Sequence, residues 1–488
     1  MSRSGLVARN ILALLATQLI SWVLTAVVML YLPRYVTDFQ LGRMTVADSF
    51  VALGAVFVQM GSSTVIVMGV AQKKHSPVDF ILAALCMRLS LALVILVVCV
   101  GLATIMNYPP ETRLFIAIGS VAAAVAAAAE AVASVLRGQE NIPRQSLADL
   151  CSKLVGAALI LALMFSHAPI WALVSVSVFA ALTTLVINLS AFRSAPWPRF
   201  SREHLKLARY LIVAGMPFLS TTLFLTLYGQ SGPLILHQIS GEAAVGWLGL
   251  VRKLTGTAMF IPTLVTSAML PTLIRLRNTD PAAFPGAVRR MTNLMLLCVA
   301  PIAIALICMP AQLLALAQYP ESYARALPPV FVATGACLVI WFVTQALGTA
   351  LIANEQQVQL SKGALGAALL IVPACAVGTW LTHRYLGNGA IGTVLADNFT
   401  EGCLLAYYIS ILPRSLLPWD TIAYALRVGA AAAVMGVVVF GLSHQFGLLA
   451  LVPGGLAYVV GCWLLKCIGG QDLALFRSML GRRLQTTG

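Results

Sequence analysis

Apolar residues run through this chain in long blocks, with neither the two-residue alternation of strands nor the single apolar stripe of a surface helix. A helix of about 20 apolar residues crosses the hydrocarbon core of a bilayer, so each block predicts a span. Fourteen blocks are found. Six lie at 10–32, 46–72, 79–106, 113–136, 146–166 and 168–193. A polar stretch, SAPWPRFSREHLKL at 194–207, follows. Six more lie at 208–236, 243–276, 286–309, 327–353, 357–382 and 388–412, and a last pair at 420–443 and 446–468. The block at 243–276 is too long for one straight crossing, and Pro262 is its expected bend. The expected fold is all-α integral membrane. It has an N-terminal lobe (1–193), a cytoplasmic linker (194–207), a C-terminal lobe (208–412), and a final helix pair with a cytoplasmic tail (413–488). A β-barrel is excluded, because no block alternates.

Composition agrees. Only 10% of the 488 residues are charged and 60% are hydrophobic, against about 25% and 45–50% in soluble domains. So few charges cannot cover a soluble enzyme, and the chain is neither disordered nor a secreted disulfide scaffold. The first block is too long for the apolar core of a cleaved signal peptide and is read as a span. The ten cysteines lack CxxC spacing and read as small packing residues.

The net charge of +15 takes its meaning from its distribution. With the N-terminus placed in the cytoplasm, 22 of the 31 basic residues fall on the cytoplasmic side, five on the other, and four within spans. This asymmetry is what the positive-inside rule requires, with both termini cytoplasmic. The basic residues meet anionic lipid headgroups, and no nucleic acid is needed to explain them.

An internal repeat is visible. Gly138-Gln139-Glu140-Asn141 leads into SKLVGAALI at 152–160. About 215 residues later, Asn354-Glu355-Gln356 leads into SKGALGAAL at 361–369. Each segment joins the fourth span of a six-span set to the fifth. Two halves of equal orientation predict a substrate cavity between them.

Charge inside a span is costly and usually faces a cavity or a partner. Arg252 and Lys253 lie about ten residues into the eighth span, roughly 15 Å deep. Arg252 either binds an anionic substrate or pairs with a carboxylate such as Asp397 or Glu401. Arg88 either snorkels or joins the cavity, and Arg427 either snorkels to the headgroups or faces the cavity. Arg34, beside Tyr31 and Tyr35, is an interfacial anchor or part of the cavity mouth. Asp397, Asn398, Thr400 and Glu401 form a polar cluster in the twelfth span. Asp397 and Glu401, with Glu130 in the fourth span, are candidates for H⁺ or Na⁺ coupling or for helix–helix hydrogen bonding. No phosphate-binding loop, HExxH, GxSxG or paired-cysteine metal site is present, and the chain is expected not to be an enzyme or to need a cofactor. A membrane-embedded glycosyltransferase would need a large extramembrane loop or an acidic catalytic pair.

Three stretches carry a family resemblance: PFLS at 217–220 followed by GEAAVGWLGLVRKL, Pro262 and LPTLIRL; LRGQENIPRQSLADLCSKL; and YLGNGAIGTVLADNFTEG. Together they resemble the O-antigen-type polysaccharide flippases of the multidrug/oligosaccharidyl-lipid/polysaccharide (MOP) exporter superfamily. The resemblance implies a two-lobed, V-shaped bundle that works by alternating access. It would carry undecaprenyl-pyrophosphate-linked oligosaccharide (an exopolysaccharide, capsule or lipopolysaccharide O-antigen unit) across the inner membrane. The lipid-linked glycan, membrane lipids and polymerase or export machinery are the implied partners. Arg252 falls where related lipid II flippases hold a pyrophosphate-binding arginine, and Glu401 where the family often has a carboxylate. Two departures stand out. Trp247 replaces a tyrosine or small residue. The paired arginines of lipid II flippases are missing from the first span, whose interior reads Thr17, Gln18, Ser21 and Trp22. Thr17, Gln18, Ser21, Trp22 and Gln59 are candidate sugar contacts beside the cations Arg252, Arg88, Lys253 and Arg34. A multidrug antiporter of the same superfamily and a lipid II flippase are the alternatives.

Overall fold

A computed structural model describes residues 27–28, 31–317, 319–413 and 419–467. Among these residues the chain is helical, with no strand. Among the described residues eleven helices are long and apolar enough to cross a membrane, and the protein is a multi-pass membrane protein. The 55-residue helix counted among them is longer than any single crossing. Gly241, at φ 79°, ψ −174°, is non-helical and splits it into two limbs. The expected first span lies almost wholly outside the described residues.

The chain forms two compact units: 1–254 with 364–393, and 255–363 with 394–488. This division follows compactness, a different property from the sequence repeat. The first unit holds α1 (Asp38–Gln59), α2 (Ser62–Ala71), α3 (Pro77–Ile105), α4 (Pro110–Gly138), α5 (Ile142–Phe165), α6 (Ile170–Leu189) and most of α7 (Arg202–Gly256). The second holds α8 (Phe260–Thr279), α9 (Phe284–Cys308), α10 (Pro310–Ala317), α11 (Glu321–Ala353), most of α13 (Gly389–Ile411), α14 (Trp419–Phe446) and α15 (Leu451–Leu464). Helix α12 (Gln357–Leu386) and the start of α13 are divided between the units.

Local chemistry places the helix ends. At Thr37 a reciprocal capping box opens α1: the Thr37 hydroxyl accepts the Gln40 N–H at 3.3 Å, and the Gln40 side chain accepts the Thr37 N–H at 3.0 Å. Ser76 caps α3, with Pro77 at its first position. The two repeat loops share one turn. Glu140 and Glu355 both sit at φ 60°, and the residue after each donates to a carbonyl five back, Asn141 to Leu136 and Gln356 to Leu351, both at 2.9 Å.

The long apolar block at 243–276 breaks at 257–259 and not at Pro262, which sits in the first turn of α8. Proline has no N–H for the Ala258 carbonyl, and a helix's first turn is where that loss costs least. The Ala258 carbonyl instead accepts the Ile261 N–H at 3.1 Å, so the break falls one turn before the proline.

Lipid tails are as apolar as leucine, so close van der Waals packing of small residues holds such bundles. In the first unit the alanine-rich α4 packs against α1, α2, α3 and α6. Ala131, Val132, Val135 and Leu136 lie in one buried cluster with Phe80 and Ile81 of α3. In the second unit α9 packs against α8, α11 and α14. The outward faces are apolar, as lipid demands: Leu93, Val97 and Ile105 of α3 are all exposed.

Candidate functional site

Helix α1 and the second limb of α7 lie in backbone contact. A methyl group on Gly246 would overlap the Asp38 carbonyl, and one on Gly249 would overlap the Thr45 hydroxyl. That register carries Asp48 and Ser49 of α1 to the level of Arg252 and Lys253. Each set lies about ten residues from its helix start, roughly 15 Å along the axis.

Arg252 is half-buried, and its Nη1 donates to the Gly229 carbonyl at 2.8 Å. This acceptor exists because of the sequence. Pro233 lies four residues on in α7 and has no N–H for the Gly229 carbonyl, so that oxygen is available to a side chain. Gly232 makes the room: a Cβ there would stand 3.0 Å from Arg252 Nη2 and 2.9 Å from Thr393 Cγ2. Lys253, also half-buried, interacts electrostatically with Asp48. Ser49 donates to Gln230 Oε1 at 3.0 Å. The result is a polar group of two cations, a carboxylate, an amide and a hydroxyl inside the membrane-spanning part of the first unit.

Arg88 lies elsewhere. It has no exposed surface. Its Nη1 donates to the Ala127 carbonyl at 2.7 Å, and its Nη2 donates to the Ser62 and Ser63 hydroxyls at 2.9 and 3.0 Å. A substrate phosphate cannot reach it in this conformation. Glu130 is held by Arg137, which also donates to Ser134 at 2.8 Å. Arg34 is exposed and lies over the Tyr31 ring at 5.1 Å. Gln59 is half-buried, and its backbone carbonyl accepts the Ser62 hydroxyl at 2.7 Å. Arg427 is exposed on α14. Thr17, Gln18, Ser21 and Trp22 lie outside the described residues.

In the second unit Asp397, Thr400 and Glu401 are buried together on α13. The Asn398 amide donates to the Ala333 carbonyl of α11 at 3.0 Å. This is a buried polar cluster with at least one interhelical hydrogen bond.

Asp48 is the residue that reading the sequence missed. Placed two residues inside a span beginning at 46, it looks like a rim residue. The capping box at Thr37-Asp38-Phe39-Gln40 is the signal that moves the helix start to 38 and Asp48 into the membrane.

The sequence matches the family described as "Polysaccharide biosynthesis protein" over residues 7–277. The chain belongs to that family. A comparison with curated protein sequences finds no match. Among solved structures, the polysaccharide biosynthesis protein is similar to the lipid II flippase MurJ in an inward closed conformation. The TM-score is 0.74 at 12% identity, over 96% of this chain and 100% of that one. It is also similar to an inward-facing multidrug resistance MATE family transporter of the MOP superfamily (TM-score 0.62, 13% identity, 82% and 97% covered). A third is a MOP superfamily transporter from Pyrococcus furiosus whose binding pocket is described as having reverse polarity (TM-score 0.52, 15% identity, 83% and 96% covered). The fold is that of the MOP superfamily.

Proposed function

We propose that this protein is a flippase for a polyprenyl-pyrophosphate-linked oligosaccharide, working by alternating access in a bacterial inner membrane. The observation that carries the reading is the Arg252–Lys253 pair, two half-buried cations deep in a membrane-spanning limb of a polysaccharide biosynthesis protein. A diphosphate is a dianionic ligand that a guanidinium grips in two places and an ammonium grips as a point charge. The Gly229 carbonyl and Asp48 are among the groups that engage these two cations. An arriving diphosphate competes with both, so the cations need not stand uncompensated in the membrane before substrate enters. Arg88, enclosed by protein oxygens, acts in packing. An H⁺ or Na⁺ gradient is the proposed drive, with Asp397 and Glu401 as its carriers.

The test is glycan export in a complementation assay with Arg252→Ala and Arg252→Lys. Export falling at least about tenfold in the alanine variant and by less in the lysine variant is expected, because a lost charged hydrogen bond is worth about 1.5–3 kcal/mol. Full export by Arg252→Ala would sink the reading. A lipid II substrate is disfavoured by the first span, which lacks the paired arginines of those flippases. A cation-coupled multidrug antiporter predicts drug resistance on expression that is lost in Asp48→Asn.

A further inference from the structure

The first unit contains a cavity of about 490 Å³ that the flippase reading does not use. It lies at the end of the bundle that the charge pattern assigns to the non-cytoplasmic side. Its walls are Tyr35, Gln40 at the start of α1, Glu111 at the start of α4, and His167 and Trp171 around the start of α6. The size falls within the range of about 300–1,000 Å³ for small-molecule sites.

The lining groups have polar atoms left over. Glu111 engages Arg43 through Oε2, and Oε1 has no protein partner among the described residues. Gln40 uses its carbonyl oxygen on the Thr37 N–H, which leaves both amide hydrogens. Trp171 is 52% exposed, and its indole N–H has no acceptor among the described residues. The exposed His167 lies beside Tyr35 with ring centroids 6.0 Å apart and planes tilted by 35°, and its ring nitrogens have no partner among the described residues. Tyr35 itself is fixed, its hydroxyl donating to the Ala168 carbonyl. The cavity therefore presents a flat aromatic surface, one carboxylate oxygen and several donors.

We propose that this cavity binds a pyranose saccharide, with Trp171 as the stacking surface and Glu111 and Gln40 as partners for ring hydroxyls. A sugar has an apolar C–H face for the indole and hydroxyls that both give and accept hydrogen bonds, which matches this set. An anion does not match, because Arg43 is already divided between Glu111 and Glu242, the latter at 2.8 Å. A quaternary ammonium matches less well. Arg43 neutralises the carboxylate it would seek, and the amide, indole and imidazole donors would gain nothing from it. The proposal rests on the flippase reading and extends it: saccharide delivered across the membrane arrives on the side where this cavity lies.

The test uses the full chain in phospholipid nanodiscs on an array of bacterial oligosaccharides, with choline as a competitor. Saccharide retention by the wild type is expected, weakened about fivefold or more in Trp171→Ala and in Glu111→Gln, and kept in Trp171→Phe. No retention on any saccharide, retention unchanged in both cavity variants, or displacement by choline would overturn it. Arg252→Ala separates the two claims. Normal export by that variant with Trp171-dependent retention would refute the flippase reading and leave the cavity site standing. Lost export with no retention would do the reverse.

Discussion

Arg88 and Arg252 are both arginines set inside membrane helices, and hydropathy treats them alike. Their surroundings differ in kind. Arg88 is sealed against three protein oxygens from two neighbouring helices, fastening α3 to α4 and to the start of α2. Arg252 is half-buried and meets a carbonyl that is available only because Pro233 interrupts the hydrogen-bond ladder of α7. An intramembrane cation is thus not a functional signal by itself. What distinguishes the two is whether the partners form a closed internal set or a set that a ligand could replace.

The sharpest way to break this comparison is Arg88→Ala. It removes the donor to the Ala127 carbonyl and to two serine hydroxyls, of which Ser62 keeps its bond to the Gln59 carbonyl, and leaves a cavity. A loss of about 3 kcal/mol or more is expected, read as a lower unfolding temperature in detergent and poor recovery of monodisperse protein. The fraction that folds should export normally. A well-folded Arg88→Ala protein of wild-type stability that has lost export would place Arg88 with Arg252.

The next test asks whether the Pro233 device is real. Pro233→Ala restores an N–H to the Gly229 carbonyl, so the helix ladder competes with Arg252 for that oxygen. In a double-mutant cycle with Arg252→Ala, a coupling of about 1 kcal/mol in stability is expected, together with a several-fold change in export for the proline variant alone. Strict additivity would mean that the Gly229 contact does not position Arg252. Asp48→Asn tests the neighbouring cation. It removes the countercharge of Lys253 and should cost export about threefold to tenfold. The change in stability should be less than about 0.5 kcal/mol, because Asp48 is an exposed residue.

Much of the fold could be read from the chain, because a bilayer forces backbone hydrogen bonds to close within each apolar segment. The matching turns at Glu140 and Glu355 show that even the repeat loops were visible as sequence, since a polar residue in the left-handed region followed by a small-residue helix is a local pattern. The site was harder for physical reasons. The stretch 38–45 carries Asp38, Gln40 and Arg43, so hydropathy trims it from the span, and only the capping box shows that the helix begins there. The acceptor for Arg252 lies 23 residues away. The motif GQSGP announces a carbonyl without a helical donor, but which side chain takes it is decided by tertiary packing. For Arg88 the reverse holds: nothing local separates a buried arginine from one lining a cavity.

The smallest effect belongs to Asn398→Ala. Like Arg88, Asn398 donates to a carbonyl of a neighbouring helix, Ala333 at 3.0 Å. Also like Arg88, whose buried Nε has no partner, it is only part-satisfied: its buried Oδ1 has no hydrogen-bond partner among the described residues. Alanine removes a hydrogen bond worth about 0.6 kcal/mol between membrane helices and at the same time removes a desolvated acceptor whose burial was unfavourable. The two terms oppose, so a net change within about 0.5 kcal/mol is expected in reversible unfolding, with export unaltered. A loss beyond about 2 kcal/mol would show that Asn398 holds the geometry of Asp397 and Glu401. It would then join Arg88 as a packing determinant, and the difference between them would be one of degree alone.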